Sequence, residues 1–263
     1  MRRALILALG WGALVLPIAA SFAQDHTSAS AGSKQATHWS YSGDQGPQHW
    51  GDLDAAYATC GIGQRQSPIN LESRSAKTGK SGNFQINYAT SAVTPVNNGH
   101  TVEAEVEDAA TVTLEGKTYR LAQFHFHAPS EHTIDGKYYP LEIHFVNKNA
   151  DGQITVVGAL VREGKENKAL APIFDALPAS QKPAGEHVQA DLAAILPKNH
   201  KAFLYDGSLT TPPCTEGVHW IVLAQPIEMS RAQIAAFTKI FHDNHRPLQT
   251  INGREVESES NPK

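Results

Sequence analysis

The run Gln123-Phe124-His125-Phe126-His127 alternates strictly between polar and aromatic residues. Side chains of a β-strand point alternately to opposite faces, so Gln123, His125 and His127 share one face while Phe124 and Phe126 take the other. The phenylalanines can enter a core, and the two imidazoles stand side by side at a spacing that lets both reach one metal ion. A second run, Leu141-Glu142-Ile143-His144-Phe145, repeats the pattern, with Glu142 and His144 on one face and three apolar residues on the other. The link from Ala128 to Pro140 contains Asp135-Gly136, a turn signal that lets the two strands pair antiparallel and brings His144 to His125 and His127. Three neutral imidazoles leave the fourth position of a tetrahedral ion open, which marks catalytic rather than structural zinc.

Metal-bound histidine usually gives its other ring N–H to an amide oxygen or a carboxylate, which fixes its tautomer. Gln123, two residues before His125, and Glu142, two before His144, sit where they can do this. A lone His-x-His pair in a strand often just faces solvent. Two imidazole strands, each with its own acceptor, make that bland reading the weaker one.

The strands that must carry these residues belong to a series of short alternating or apolar runs: Phe84 to Tyr88, Thr101 to Val106, Thr111 to Leu114, Tyr119 to His127, Leu141 to Asn147, Ile154 to Arg162 and Trp220 to Leu223. Asn98-Gly99, Asp135-Gly136 and Asp151-Gly152 mark turns between them. Helical pattern is scarcer. Leu170, Ile173, Phe174 and Leu177 form one apolar stripe, and Ser230 with Gln233 has the spacing of a capping box ahead of Ile234, Phe237 and Phe241. The class is mainly β with a few short helices.

The chain opens with an export signal. Arg2 and Arg3 precede an apolar run from Ala4 to Leu16, and Ser21-Phe22-Ala23 offers the small residues of a cleavage site. The run is shorter than the roughly 20 residues of a membrane span, so no membrane anchor is expected. Residues 1–23 are read as the signal, 24–37 as a disordered Ser/Ala/Gly-rich spacer, 38–254 as one domain without internal repeat or second linker, and 255–263 as a polar tail that frays. With Arg2 and Arg3 removed from 22 basic residues, 20 face 26 acidic ones, a net charge of −6. Such a surface attracts neither nucleic acid nor acidic lipid. The signal fits a periplasmic protein.

Cys60 and Cys214 are the only cysteines. In an oxidising compartment an even pair reads most simply as one disulfide, with two separate buried thiols as the alternative.

Beyond the histidines, the sequence resembles the α-class carbonic anhydrases. The resemblance runs in order through His38-Trp39-x-Tyr41, Gln66-Ser67-Pro68-Ile69-Asn70-Leu71, Asn97-Asn98-Gly99-His100, Gln123 to His132, Leu141 to Val146, Gly207 to Pro213 and Arg246-Pro247-Leu248-Gln249, spread over nearly the whole mature chain. It implies a large, twisted, mostly antiparallel sheet of about ten strands, cis peptides at Ser67-Pro68 and Pro212-Pro213, and a Cys60–Cys214 disulfide fastening the loop that overhangs the metal. The implied activity is reversible hydration of carbon dioxide to bicarbonate and a proton by zinc-bound hydroxide, with sulfonamides and small anions as inhibitors. A monomer and a homodimer are both compatible with it.

The resemblance also assigns roles. Thr210 is matched to the threonine that accepts the hydrogen bond of the hydroxide and Glu131 to the glutamate that orients it, while Thr211 helps place bicarbonate. Val146, Val156, Leu209, Val218 and Trp220 are matched to the apolar wall where carbon dioxide rests; by pattern alone they are core residues of a β protein. His100 is matched to the proton shuttle, whose ordinary pKa near 6.5 suits exchange with buffer, and Tyr41 and Asn98 to groups that organise the water chain. Two positions depart from the pattern: Glu103 stands where many animal members have asparagine, and Ala128 where they usually have tryptophan. His132 is expected to be structural, and His26, His49, His187, His200, His219, His242 and His245 have no ligand spacing. Two rival readings remain, a catalytically silent relative acting as a binding module and a zinc esterase. Retention of all three histidines speaks against the first.

Overall fold

In the computed structural model, residues 37–80, 82–107, 110–181 and 187–259 are described. The expected export signal and nearly all of the spacer lie outside these residues.

The described strands are, in chain order, β1 (Asn70–Leu71), β2 (Lys77–Thr78), β3 (Phe84–Asn87), β4 (Thr90–Asn97), β5 (Val102–Val106), β6 (Thr111–Leu114) and β7 (Lys117–His127). They continue with β8 (Thr133–Ile134), β9 (Leu141–Lys148), β10 (Ile154–Glu163), β11 (Val188–Asp191), β12 (Ala202–Ser208), β13 (Glu216–Met229) and β14 (Glu257–Glu259). Twelve of them form one mixed sheet in the order β11-β4-β5-β7-β9-β10-β13-β12-β14-β2, with β3 and β6 attached beside β7. Most pairs are antiparallel; β10 with β13 and β14 with β2 are parallel. The expected mainly β class and large sheet are present, with twelve strands rather than about ten.

The histidine strands β7 and β9 are neighbours deep inside the sheet, and their alternation has the predicted result. Phe124, Phe126, Leu141, Ile143 and Phe145 are fully buried in the main core. The opposite face carries the histidines and a second apolar cluster containing Val146, Val156, Val218 and Trp220. A register shift between Leu121 and Gln123 interrupts β7. Because of it, Tyr119 and Leu121 enter the same core as Phe124 and Phe126, although an uninterrupted strand would put Leu121 on the face of His125. The bulge therefore re-aims the strand just before the end that carries His125 and His127.

Local signals explain the connections. Asp135 and Gly136 both have positive φ, 51° and 76°, and the Lys137 N–H donates to Ile134 O at 3.0 Å, a tight two-residue hairpin. The capping box forms: Gln233 N donates to Ser230 Oγ at 3.2 Å and Ser230 N to Gln233 Oε1 at 3.1 Å, starting the helix Arg231–Thr238. The 170–177 stripe shortens to a helix over Ala171–Asp175 that buries Ile173.

One expectation is corrected, and one feature is added. The polar tail is expected to fray from Glu255, but Glu257–Glu259 add a strand paired on both sides, with β12 and with β2; backbone hydrogen bonds do not require apolar side chains. A cis bond at Ala128-Pro129 joins the two expected at Ser67-Pro68 and Pro212-Pro213. Cys60 and Cys214 are disulfide-bonded across 154 residues, and the alternative of two separate thiols falls.

Candidate active site

His125 and His144 are direct register partners across β7 and β9, and His127 faces Glu142 in the same ladder. The three imidazoles therefore converge: ring centroids lie 5.0 Å apart for His125 and His127, 5.4 Å for His125 and His144, and 4.5 Å for His127 and His144. One nitrogen from each lies within 4.8 Å of the others.

The remaining nitrogens have acceptors. His125 Nδ1 donates to Gln123 Oε1 at 2.8 Å and His144 Nε2 to Glu142 Oε1 at 2.9 Å, the two partners the sequence predicts. His127 Nδ1 donates to the backbone carbonyl of Asn244 at 2.7 Å. These contacts leave His125 Nε2, His127 Nε2 and His144 Nδ1 with free lone pairs. Burial, reinforced by the neighbouring imidazoles, holds His125 well below its ordinary pKa, and burial lowers His127 to about 4 against the opposing pull of the Asn244 carbonyl. His144 is also lowered, by burial first, although Glu142 pulls it up. All three are neutral at pH 7, as metal coordination requires.

Glu142 is fully buried and saturated with donors. Its Oε1 also accepts His132 Nδ1 at 2.7 Å, and its Oε2 accepts the peptide N–H groups of Glu131 and His132, each at 2.8 Å. Burial would raise its carboxyl, but His132 and His144 hold it well below the usual carboxylate range. His132 passes the network on, with Nε2 at 2.7 Å from Tyr205 Oη, which lies 2.8 Å from Ser67 Oγ. His132, Glu142 and His144 also meet the geometry of a metal site, but their close nitrogen–oxygen contacts are hydrogen bonds, and His132 has the structural place expected of it.

Glu131 lies between this network and the loop after β12. Its Oε1 accepts the Arg246 N–H at 2.7 Å and lies 3.6 Å from His127 Nδ1, while Oε2 lies 3.7 Å from His144 Nδ1. Burial raises its carboxyl; His144, the Thr210 hydroxyl and the Arg246 N–H oppose that rise. Thr210 is thus close enough to stabilise the charge, although no donor meets hydrogen-bond geometry at Oε2. The loop is fastened at Cys214, whose N–H donates to Thr211 O at 2.8 Å. The Arg246 guanidinium binds the other end of the bridge at Cys60 O, at 2.9 Å, and Ser67 O, at 2.8 Å.

His100 stacks on Trp39 with ring centroids 3.7 Å apart and planes 9° from parallel. Asn98 Oδ1 accepts the His100 and Thr101 N–H groups, each at 3.0 Å, so its visible work is to shape the turn. Tyr41 packs edge-on against Trp39 and Trp50, and its phenol is raised by burial and then by Glu131. Glu103 is the register partner of His125 on β5, and Ala128 is buried beside the Asn244 side chain, its N–H donating to Asn244 Oδ1 at 2.8 Å. Val146, Val156, Val218 and Trp220 share one apolar cluster, with Leu209 packed against it, and the Trp220 ring lies 4.8 Å from that of His144.

His127 Nε2 and Glu131 Oε2 are buried without partners. An orphaned imidazole nitrogen beside two others, with no thiolate available, is the nitrogen-rich donor set zinc prefers, and the residues fit that ion.

A family model described as eukaryotic-type carbonic anhydrase matches residues 45–260. This chain belongs to the α-class carbonic anhydrase family. It is an enzyme of the carbonic anhydrase class by the same relationships. A curated carbonic anhydrase of Klebsiella pneumoniae is 44% identical over 225 residues, covering 84% of this chain and 91% of that protein. The solved α-carbonic anhydrase of Thermovibrio ammonificans, in complex with the inhibitor sulfanilamide, is 44% identical with a TM-score of 0.82, covering 85% of this chain and all of that one. A solved dioscorin complexed with ascorbate is 30% identical with a TM-score of 0.80, covering 86% of this chain and 99% of that one.

Three contributors were not predicted from the sequence: Asn244, the Arg246 N–H and Tyr205. Asn244 and Arg246 reach the site through main-chain groups, which carry no residue-type signal. Tyr205 alternates with Phe203 in β12, and a tyrosine at that spacing reads as an ordinary strand core residue.

Proposed function

We propose that the enzyme hydrates carbon dioxide reversibly to bicarbonate and a proton, using one zinc ion held by His125 Nε2, His127 Nε2 and His144 Nδ1. The observation that carries this reading is the orphaned His127 Nε2, buried beside two other imidazoles whose remaining nitrogens are all committed to acceptors. Bound zinc supplies the Lewis acidity that makes water nucleophilic near neutral pH.

The protein's own residues do the rest. Glu131, anchored by the Arg246 N–H, accepts the Thr210 hydroxyl proton. Thr210 Oγ1 is thereby left as an acceptor for the reacting water, which it orients so that the water's own lone pair points at the substrate carbon. Val146, Val156, Leu209, Val218 and Trp220 give carbon dioxide a dry wall with no competing hydrogen bonds, and Thr211 with the Thr210 N–H positions bicarbonate. His100 takes the released proton through water ordered by Tyr41 and Asn98 and passes it to buffer. Burial, and then His38, lower its pKa, which favours release. Primary sulfonamides are proposed to bind at the same three histidines, as the Thermovibrio relative's complex suggests. The disulfide supports export to the periplasm, an oxidising compartment.

Stopped-flow hydration of carbon dioxide by the zinc-loaded protein tests the reading. The expected result is rapid turnover abolished by sulfanilamide; a folded, zinc-loaded protein without turnover would leave the silent relative as the correct reading.

A further inference from the structure

A chain of buried hydrogen bonds joins the segment that carries Thr210 to His144. It starts at the end of β12, where the Ser208 N–H donates to Ser67 Oγ at 3.1 Å and the Ser67 N–H donates back to Ser208 Oγ at 2.9 Å. Ser67 Oγ lies 2.8 Å from Tyr205 Oη, which lies 2.7 Å from His132 Nε2. His132 Nδ1 lies 2.7 Å from Glu142 Oε1, the same oxygen that accepts His144 Nε2. Ser67, His132 and Glu142 are fully buried and Tyr205 nearly so. Two glycines make room for the chain. A Cβ at Gly207 would lie 2.1 Å from Ser67 Oγ and 2.8 Å from Tyr205 Cε2, and one at Gly158 would lie 3.1 Å from Glu142 Oε1.

The donors fix the direction of the chain. A peptide N–H can only donate, so Ser67 Oγ accepts from Ser208 and must place its own hydrogen elsewhere. Among the described residues, Tyr205 Oη is the remaining partner within reach. Having accepted from Ser67, the phenol turns its hydrogen to His132 Nε2. Burial holds the phenol well above its ordinary pKa, against the pull of the Ser67 bond, so the hydrogen stays on the oxygen. An uncharged imidazole that accepts at Nε2 carries its hydrogen at Nδ1, and that hydrogen goes to Glu142 Oε1. With the peptide N–H groups of Glu131 and His132 on its other oxygen, the carboxylate is left in one orientation towards His144 Nε2.

We infer that Tyr205 is a positioning residue for the reaction: its hydroxyl holds His132 as the neutral Nδ1–H tautomer, and His132 thereby fixes the Glu142 oxygen that orients His144. This role rests on the three-histidine zinc site proposed above. It extends the control of that site from the direct partners of the histidines to a phenol two hydrogen bonds further out, and it ties His144 to the strand end that precedes Thr210. The rival arrangement is a His132 that donates from both nitrogens, with the phenol turned to Ser67.

Tyr205→Phe removes the hydroxyl and keeps the ring that lies parallel to Trp220. Tyr88→Phe is the matched control, since it removes a buried phenol bonded to Asn147 Oδ1 at 3.1 Å in the main core. Nitrogen-15 NMR of histidine-labelled, zinc-loaded protein reads the tautomer, and competition with a chelator reads the zinc affinity. In the unmodified protein and in Tyr88→Phe, His132 should show a protonated Nδ1 and an unprotonated, hydrogen-bonded Nε2. In Tyr205→Phe the Nε2 resonance should move downfield, to that of a nitrogen without a donor. Zinc affinity should fall about fivefold, less than the roughly tenfold or more lost with a direct partner of a ligand, and should be unchanged in Tyr88→Phe. A His132 protonated on both nitrogens or on Nε2 alone would overturn the role, and so would unchanged zinc affinity in folded Tyr205→Phe; either result leaves the zinc site standing. The tautomer in the unmodified protein decides the matter should Tyr205→Phe fail to fold. Failure of the unmodified protein to bind zinc would overturn the zinc site itself and the role with it.

Discussion

His127 Nδ1 lies 2.7 Å from the carbonyl oxygen of Asn244, a residue 117 positions further along the chain. The asparagine's side chain holds the same strand end: Nδ2 donates to Phe126 O at 2.9 Å and to His100 O at 3.0 Å, and Oδ1 accepts Ala128 N at 2.8 Å. Asn244→Ala keeps the carbonyl and removes the brace, leaving His100 O and Ala128 N without this partner. Stability is expected to fall by about 1–3 kcal/mol in urea unfolding. Zinc affinity, measured by competition with a chelator, is expected to fall by about tenfold. Unchanged values for both would mean that β9 alone holds the end of β7.

Glu131 and Thr210 are expected to act as one unit. Thr210→Ala should lower kcat/KM by about 100-fold, and Glu131→Gln by a similar factor, because each removes the same orientation of the reacting water. The double variant should be little worse than either single one. Additive losses in steady-state hydration assays would separate the two residues.

The proposed role of His100 gives a different kinetic signature. His100→Ala should lower kcat by about tenfold at limiting buffer, leave kcat/KM unaltered, and recover turnover when imidazole is added. Its pKa is lowered by burial and then by His38, so in the unmodified enzyme the proton-accepting imidazole persists further into acid than at an exposed histidine. A loss of kcat that imidazole does not restore would assign the proton to another route.

The histidine end of the site is legible because a strand's two-residue period puts an acceptor and its histidine on one face: Gln123 with His125 and Glu142 with His144. The partner of His127 was not, since it is a peptide oxygen of a distant loop. Strand β4 was also missed. Pro95 lacks the N–H a central strand needs, and it is tolerated because the β11 ladder covers only Thr90 to Val93. The bulge in β7 has no turn residue to announce it. Thr210, Glu131 and His100 carried no spacing signal and were readable only through the family blocks, whereas the residues matched to the apolar wall looked like core and are indeed packed in a core cluster.

Away from the site, His219 Nδ1 lies 2.7 Å from Asp206 Oδ1, which raises His219 and lowers Asp206 from ordinary values of 6.5 and 3.8. The raised histidine stabilises the fold fully below about pH 6.5 and loses that contribution as pH rises through its folded value. The depressed aspartate contributes above about pH 4 and loses its share as pH falls. The pair is therefore most effective between these limits. His219→Gln is expected to lower Tm relative to the unmodified protein at pH 5.5 and to have no effect at pH 9. Equal losses at both values would indicate a packing effect instead.

The most direct test of the metal assignment is titration of zinc into chelator-stripped protein while bound metal and carbon dioxide hydration are measured together. Activity should rise linearly and stop at one zinc per chain, and His144→Ala should bind zinc more weakly and stay inactive across the same titration. Full hydration activity in the stripped protein, or activity restored in His144→Ala at one equivalent, would contradict the three-histidine site.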